Sequence, residues 1–453
     1  MGDLKFMNKL NNNRKEVCIC ILILYTLVLL FSLGSSVSEH KKLLSKDEDI
    51  KIISQLKFPK DVHGEITLWD WDTDNMVAIN EDFNKSYPNI KVNMVQVPCD
   101  EYLKKIRIAI ATGNELPDIG KLEMDTRGKL ISMDLWDNLE CEPYNLDRET
   151  LHENLIPLCV NKEGQIIGIE SGPGPSGLAY RRDLAKEYFG TDDPNELEKI
   201  FNNWDTFVLK GMEVNQKSMG KIFMMSGAED AYTVLGNQNC AQLIKNKKLN
   251  LDDALIENYK AINEMIDKRV IDRLELQEPN CWQTSFESGR YIFYPCANWY
   301  PKYVIMANDP KGEGRWGFML PPGGPYNWGG SLFSISKSSK NKEAAWTYIR
   351  WSFLTREGAI SYRDNMGYLS PYKQIYEDPK FYDIKDDFFA GQALMKIFSN
   401  ILNDVTQVYI SPYDQEINDS VTMGLKGMEM GISDKEALDV VKQDILRKFP
   451  ELR

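Results

Sequence analysis

Histidine is the scarcest chemistry-bearing residue in these 453 residues, with only His40, His63 and His152, and none of them sits in a metal-binding spacing such as His-Glu-x-x-His. Cysteines recur nowhere after residue 20 as a close pair: Cys99, Cys141, Cys159, Cys240, Cys281 and Cys296 are far apart. Zinc-type sites need tightly spaced Cys or His ligands, so hydrolytic metal chemistry is not expected, and no cofactor is. An excess of positive charge is also lacking. Lys and Arg total 54 against 67 Asp and Glu, giving a formal net charge of -13, and such a surface repels phosphates, so nucleic acid is excluded as a partner. Gly312-Glu-Gly-Arg-Trp-Gly317 spells a dinucleotide loop, but it follows Asp309-Pro310 and runs into Pro321-Pro322, so it reads as a turn. Ser176 lacks the Gly-x-Ser-x-Gly spacing of a nucleophile elbow.

Long apolar runs are rare too, and the one that exists is informative. Lys5, Lys9, Arg14 and Lys15 precede an uninterrupted apolar stretch from Val17 to Leu33, followed by Gly34, Ser35, Ser36 and Ser38. Basic flank, apolar run and small residues make an export signal over residues 1-38, either cleaved ahead of Glu39 or kept as a membrane anchor. Cys18 and Cys20 lie at the start of the run, the wrong side for lipid attachment after cleavage. Residues 39-60 read as a spacer. Export permits disulfides, but six thiols allow about 15 pairings and the sequence does not choose among them.

What is abundant is apolar and aromatic: 43% hydrophobic residues, 10 Trp and 21 Tyr. A chain this long with that content folds as two lobes rather than one core. Glu65 to Trp71 reads as a strand entering the polar turn of Asp72, Thr73, Asp74 and Asn75; a helix with Val77, Phe83 and Tyr87 at helical spacing follows, stopped by Pro88. Ile90, Val92 and Met94 make a second strand, Leu103, Ile106 and Ile110 a second helix, and Leu116 to Asp125 a third strand and turn. Strand, helix, strand, helix predicts a parallel sheet. Ser171-Gly-Pro-Gly-Pro-Ser-Gly177 breaks the pattern as an irregular crossover; Pro321-Pro-Gly-Gly-Pro325 repeats its composition, and Asn365 to Pro371 looks like a third passage. Tyr180 to Phe189 and Trp204 to Lys210 look helical, and Leu255, Tyr259, Ile262, Ile266 and Val270 form an amphipathic stripe. The expected architecture is an α/β, two-lobed, periplasmic-binding-protein-like clamp with discontinuous lobes joined by three crossovers: residues 61-172 with 328-366, and 173-327 with 367-453.

Asp70 with Asp72, and Glu123 with Asp125, stand two apart at strand ends, where each pair can share a face. Such carboxylates suit acid and base catalysis on a glycosidic bond, hydrogen bonds from sugar hydroxyls, or plain turn chemistry. Trp69, Trp71, Trp299, Trp328 and Tyr368 sit beside predicted strand ends or crossings, where open α/β sheets bind ligands; flat rings there stack on a pyranose or else pack the two lobes together.

The ordered motifs resemble the bacterial extracellular solute-binding protein family 1. Gly64-Glu-Ile-Thr-Leu-Trp-Asp-Trp71 resembles its opening strand, Phe83-Asn-Lys-Ser-Tyr-Pro-Asn-Ile-Lys-Val92 its helix-to-strand passage, and Thr112-Gly-Asn-Glu-Leu-Pro-Asp-Ile119 continues in order. Gly177-Leu-Ala-Tyr-Arg-Arg-Asp-Leu184, Asn203-Trp-Asp-Thr-Phe207, Phe286-Glu-Ser-Gly-Arg290 with Asn298-Trp299, Trp328-Gly-Gly-Ser-Leu-Phe-Ser-Ile-Ser-Lys337, Asn341-Lys-Glu-Ala-Ala-Trp346 and Gly367-Tyr-Leu-Ser-Pro371 complete the likeness. Two departures are Tyr180-Arg181, where the family has Tyr followed by Asn or Asp, and Leu122, where some sugar-binding members carry an aromatic residue. The resemblance implies a non-enzymatic, extracellular, monomeric receptor of an ABC importer that takes a sugar or oligosaccharide in an interlobe cleft and passes it to permease subunits. It places Asp70, Asp72, Glu123, Asp125, Trp299, Trp328 and Tyr368 in that cleft, to which the strand-end position adds Trp69 and Trp71. A glycan-active enzyme, a receptor presenting its ligand to a sensor, and a peptide, polyamine or glycerophosphodiester ligand are the competing expectations.

Overall fold

A computed structural model describes residues 61–274, 281–405 and 410–453. The chain divides after Asp61, and the structure that follows is that of the unit Val62–Arg453. The expected signal or anchor (1-38) and spacer (39-60) lie outside the described residues.

Two sheets organise this unit. In the first, β1 (Gly64–Asp70) buries Ile66 and Leu68 completely and pairs in parallel with β2 (Ile90–Gln96) along its whole length, from Gly64 opposite Ile90 to Asp70 opposite Gln96. On its other side it meets β3 (Ile119–Glu123), again in parallel. The intervening helices Thr73–Ser86 and Cys99–Thr112 are the crossovers that parallel pairing demands. The second of them ends on Gly113, whose φ of 68° closes the helix in a left-handed turn that favours glycine. The first helix turns a different face inward than Val77 suggested: Met76, Ile79, Asn80 and Phe83 are buried and Val77 is exposed. Two strands from elsewhere complete the sheet, β4 (Ile169–Glu170) and β11 (Ser331–Ile335), with β11 antiparallel to both β3 and β4 in the order β2-β1-β3-β11-β4. Helices Lys342–Leu354 and Arg356–Met366 cover it, joined to the Thr73–Ser86 helix by Tyr348 donating to Asn80 at 2.7 Å and Ser361 to Asp82 at 2.7 Å.

The second sheet is antiparallel throughout. Its centre, β5 (Pro175–Arg181), pairs with β8 (Phe293–Ala297), β9 (Trp316–Met319) and β10 (Tyr326–Asn327); β6 (Ile244–Lys245) and β7 (Lys248–Leu249) form a separate small hairpin. Helices Trp204–Lys217, Ala228–Asn239, Leu251–Asp267, Asp414–Glu429 and Asp434–Lys448 share one apolar core with it, in which Leu178, Phe207, Val234, Ile262, Val421 and Val441 meet. The amphipathic stripe from Leu255 to Ile266 is thus a helix, as its spacing predicts, while Val270 lies beyond the helix end at Asp267 and is buried in the same core.

Two short chain passages run antiparallel between the sheets. Ser171–Gly174 leads from β4 to β5 and Trp328–Gly330 from β10 to β11. They are tied together: Ser171 N donates to Ser331 O at 2.8 Å, and Trp328 N to Gly174 O at 2.8 Å. The expectation of irregular structure over all of Ser171 to Gly177 is corrected, because β5 already starts at Pro175. Proline is tolerated at the first residue of a strand. Pro321–Pro325 is a turn between β9 and β10, closed by Gly324 N to Pro321 O at 3.0 Å, and the passage itself comes later, at Trp328. Tyr180 belongs to β5, and the helix starts at Arg182. Beyond Gly367 the chain stays beside both sheets: Tyr372 bridges to Leu151, Phe398 meets Phe318 edge-on at 4.8 Å, and Leu402 packs on Leu155 and Leu158.

Gly330, at the second passage, has φ +118°, and a Cβ there would lie 2.7 Å from Glu170 Oε1. Gly330→Ala therefore strains the backbone and collides with a buried carboxylate. Urea unfolding should show a loss of about 1–3 kcal/mol relative to wild type, whereas unchanged stability contradicts this account of the passage.

Candidate functional site

The ends of β1 and β3 lie side by side, and the chain after β8 reaches them through Tyr303 on Asp72 and reaches the second passage through Trp299 on Trp328. Of the nine predicted residues, seven sit on strand ends, passages or the turns just after them, Asp125 in the first turn of a helix and Tyr368 after a helix. At the end of β1 the chain passes from buried to half-exposed residues. Asp70 is fully buried and pairs with Lys121 Nζ at 2.7 Å; its Oδ1 also accepts the Asp72 amide at 2.9 Å. Trp69 is buried, with Lys105 Nζ over its ring at 4.4 Å. Trp71 and Asp72 are half-exposed. Lys121 Nζ stands 4.1 Å from the Trp71 ring centre, and Tyr102 meets Trp69 and Trp71 edge-on at 6.2 and 6.1 Å. The geometry brings Trp71 and Asp72 to the surface of the site and puts Trp69 and Asp70 behind them.

Asp72 accepts hydrogen bonds from Asn75 at 2.9 Å and from the Tyr303 hydroxyl. Tyr303 follows β8, so this contact joins elements of the two sheets. Its ring lies 6.2 Å from that of Tyr368, which in turn packs against Gly172, where a Cβ would approach the ring to 3.0 Å. Lys302, its neighbour, donates to the carbonyls of Asp364 and Asn365 at the end of the Arg356–Met366 helix.

At the end of β3, Glu123 is half-buried and spends Oε2 on the Asp125 amide at 2.7 Å, capping the helix Met124–Ser132. Burial first, then the charge of Asp125, pushes the Glu123 carboxyl up to about 7. Asp125 is exposed on the next turn and is raised by desolvation and by Asp419. Leu122 points into the core, fully buried, so no ring can come from that position.

On the other side, Trp299, Tyr300 and Trp328 form an aromatic triad, with ring centres 4.9 Å apart for Trp299 and Trp328 and 5.6 Å for Tyr300 with each. Trp299 Nε1 donates to the Trp328 carbonyl at 3.2 Å, which fixes the first ring against the passage. Both tryptophans are half-exposed.

Several residues here escaped the sequence reading. Arg127 and Glu170 are both fully buried and paired at 2.7 Å, and Glu170 Oε1 accepts the Ser331 amide at 2.6 Å where the second passage enters β11. Asn298, 4% exposed, makes no hydrogen bond with either end of its amide among the described residues, beside Trp299. Asp230, in the first turn of the Ala228–Asn239 helix, accepts from Ser226 Oγ at 2.6 Å; burial pushes it up to about 6, and its charge acts on the Tyr300 phenol. Lys121 and Arg127 carried no distinguishing signal, because Asp118, Glu123, Asp125 and Lys129 stand among the same residues. Among the described residues, no group of three or more His, Cys, Asp or Glu side chains is placed to hold a metal, and Cys99, Cys141, Cys159 and Cys296 are free thiols.

Residues 78–389 match the profile of the bacterial extracellular solute-binding proteins. The chain belongs to that family. This solute-binding protein is 24% identical over 421 residues to the lactose-binding protein of Rhizobium radiobacter, covering 84% of this chain and 92% of the relative. It is 21% identical over 472 residues to the arabinooligosaccharide-binding protein of Bacillus subtilis (strain 168), covering 96% and 100%. A solved structure, an extracellular solute-binding protein of family 1, matches with a TM-score of 0.75 at 21% identity over 84% of this chain and 99% of its own. The family is one of extracellular binding proteins, not enzymes, and the two-lobed clamp is its fold. In this solute-binding protein the Glu123 carboxylate caps the Met124–Ser132 helix by accepting the Asp125 amide.

Two measurements follow. Arg127→Met leaves Glu170 buried without its cation, and breaking such a pair costs about 3–5 kcal/mol, so the melting temperature should fall steeply; a fall no larger than for an exposed Arg→Met change contradicts the pairing. Glu123, raised from its ordinary 4.5 to about 7, keeps its proton in the folded chain where the unfolded chain has lost it. The folded state then binds more protons, and this group lowers stability as pH rises from about 4.5 to about 7. The melting temperature of Glu123→Gln relative to wild type should climb across that window, and a constant difference refutes the raised carboxyl.

Proposed function

We propose that this protein is the extracellular receptor of an ABC importer and captures a sugar or oligosaccharide in the cleft between its two lobes. The carrying observation is the convergence of half-exposed rings with carboxylates: Trp71 and Asp72 from β1, Asp125 after β3, and Trp299 and Trp328 around the passages. Indole faces stack on the apolar face of a pyranose while carboxylates accept its hydroxyl hydrogens. The sugars for which the two relatives are named, lactose and arabinooligosaccharide, support that ligand class.

On this reading the lobes are residues 61–172 with 328–366 and residues 173–327 with 367–453, and the cleft takes Trp71, Asp72, Glu123, Asp125, Trp299, Trp328 and Tyr368, with Trp69 and Asp70 supporting them from behind. Ligand touching both lobes makes contacts available only in the closed arrangement and shifts the population toward it. The closed monomer then docks on permease subunits. The basic-flanked apolar run Val17 to Leu33 exports the chain, which is released after cleavage or stays tethered by that run.

A thermal-shift screen tests the ligand class. Lactose or arabinotriose at millimolar concentration should raise the melting temperature, while a tripeptide, spermidine and glycerophosphocholine should not. A rise with one of the latter three and none with any sugar overturns the carbohydrate reading. Trp299→Ala should weaken sugar binding about tenfold, the equivalent of roughly 1.4 kcal/mol for one lost stacking face. Calorimetric titration checks it.

A further inference from the structure

We infer that Lys121 is a positioning residue that holds Trp71 and Asp72 in their binding arrangement, an inference that rests on the cleft reading above. Lysine is almost never fully buried unless it is paired, yet the Lys121 side chain is 1% exposed in the middle of β3. Three contacts account for it. Its ammonium lies 2.7 Å from Asp70 Oδ1 and 4.1 Å from the centre of the Trp71 ring, and its backbone amide donates to the Tyr102 hydroxyl at 2.9 Å. Tyr102 meets the same Trp71 ring edge-on.

Each contact bears on a group that faces the cleft. Asp70 Oδ1 receives the Asp72 amide as well as the ammonium, so the cation fixes the carboxylate that fixes the peptide carrying Asp72. The Trp71 ring has the ammonium over one face and the Tyr102 edge beside it, which leaves it half-exposed with its orientation set. Asp70 is the last paired position of β1, its carbonyl accepting from Val97 N at 2.9 Å, and residues 71 and 72 lie beyond the ladder. An apolar residue at 121 would fill the space under the strand but would supply neither an ion pair to Asp70 nor a cation against the indole. The arrangement is a preorganised binding face, and ordering it before the ligand arrives spares the ligand that entropy.

The test uses the full chain labelled with 5-fluorotryptophan, in which the Trp71 fluorine resonance is identified by its disappearance in Trp71→Phe. Because Lys121→Met alone strands the Asp70 carboxylate, the double variant Asp70→Asn/Lys121→Met is measured beside it, with Lys121→Arg as the conservative variant. In the double variant the Trp71 resonance should move or broaden while the other tryptophan resonances keep their positions. Affinity for lactose or arabinotriose should fall about tenfold, with much of it restored in Lys121→Arg, and the loss should shrink to under about threefold when made in a Trp71→Phe background. An unmoved Trp71 resonance, or an equal loss of affinity with and without Trp71, overturns the inference. If neither sugar binds the wild-type protein, the carbohydrate reading fails, and the Trp71 resonance still decides whether Lys121 sets the ring.

Discussion

The carboxylate of Glu170 sits at the one place where the fold has least chain and most to hold. It is the last residue of β4, fully buried, and it takes the Arg127 guanidinium with one oxygen and the Ser331 amide with the other. Ser331 begins β11, so a single side chain ties the entry of the first passage to the exit of the second. A dry ion pair is a poor source of net stability, because desolvation offsets the attraction; what it adds is a single permitted geometry. Here that geometry is the registration of the two passages, which are also tied by the backbone bonds between Ser171 and Ser331 and between Trp328 and Gly174 and by the Ser171 hydroxyl on Ser331 O at 3.0 Å. Gly172, Gly174 and Gly330 allow this close approach: a Cβ on Gly174 would stand 2.2 Å from the Trp328 carbonyl oxygen.

The same device appears under the site. Asp70 and Lys121 form a second dry pair where β1 gives way to the loop that carries Asp72. In both places a charge inside a strand, which ordinary burial would disfavour, is matched by a partner from an adjacent element and orders the irregular chain beyond it. The aromatic residues then supply area rather than order. Trp299, Tyr300 and Trp328 pack as a triad beside the passages, and Tyr303 and Tyr368 close the side nearest Asp72. Rings held this rigidly have little rotamer freedom left to lose when a flat apolar surface lies against them.

Much of the fold was legible because its signals are local. Alternation in Ile90, Val92 and Met94, the stop at Pro88 and the stripe from Leu255 to Ile266 each depend on residues a few positions apart, and each became the element it predicts. The antiparallel second sheet was not legible, since its strands β5, β8, β9 and β10 come together from residues 175 to 327 and short buried strands lack alternation. At the site, position was readable and role was not. Asp70 and Asp72 look equivalent in sequence, but one is fully buried against Lys121 and the other lies half-exposed beside Tyr303. That difference comes from partners 51 and 231 residues away. Lys121, Arg127 and Glu170 look like ordinary surface charges until the sheet closes over them.

The proposed function requires a sugar to close two lobes onto itself across these passages. The most direct measurement is a distance between the lobes, read by pulsed electron resonance from nitroxides attached at p-acetylphenylalanine in place of the exposed Ile108 and Leu209. With saturating lactose or arabinotriose, the account predicts that a broad distribution collapses to one narrower and differently centred distance. A distribution identical with and without sugar, in a protein shown by calorimetry to have bound it, contradicts the clamp.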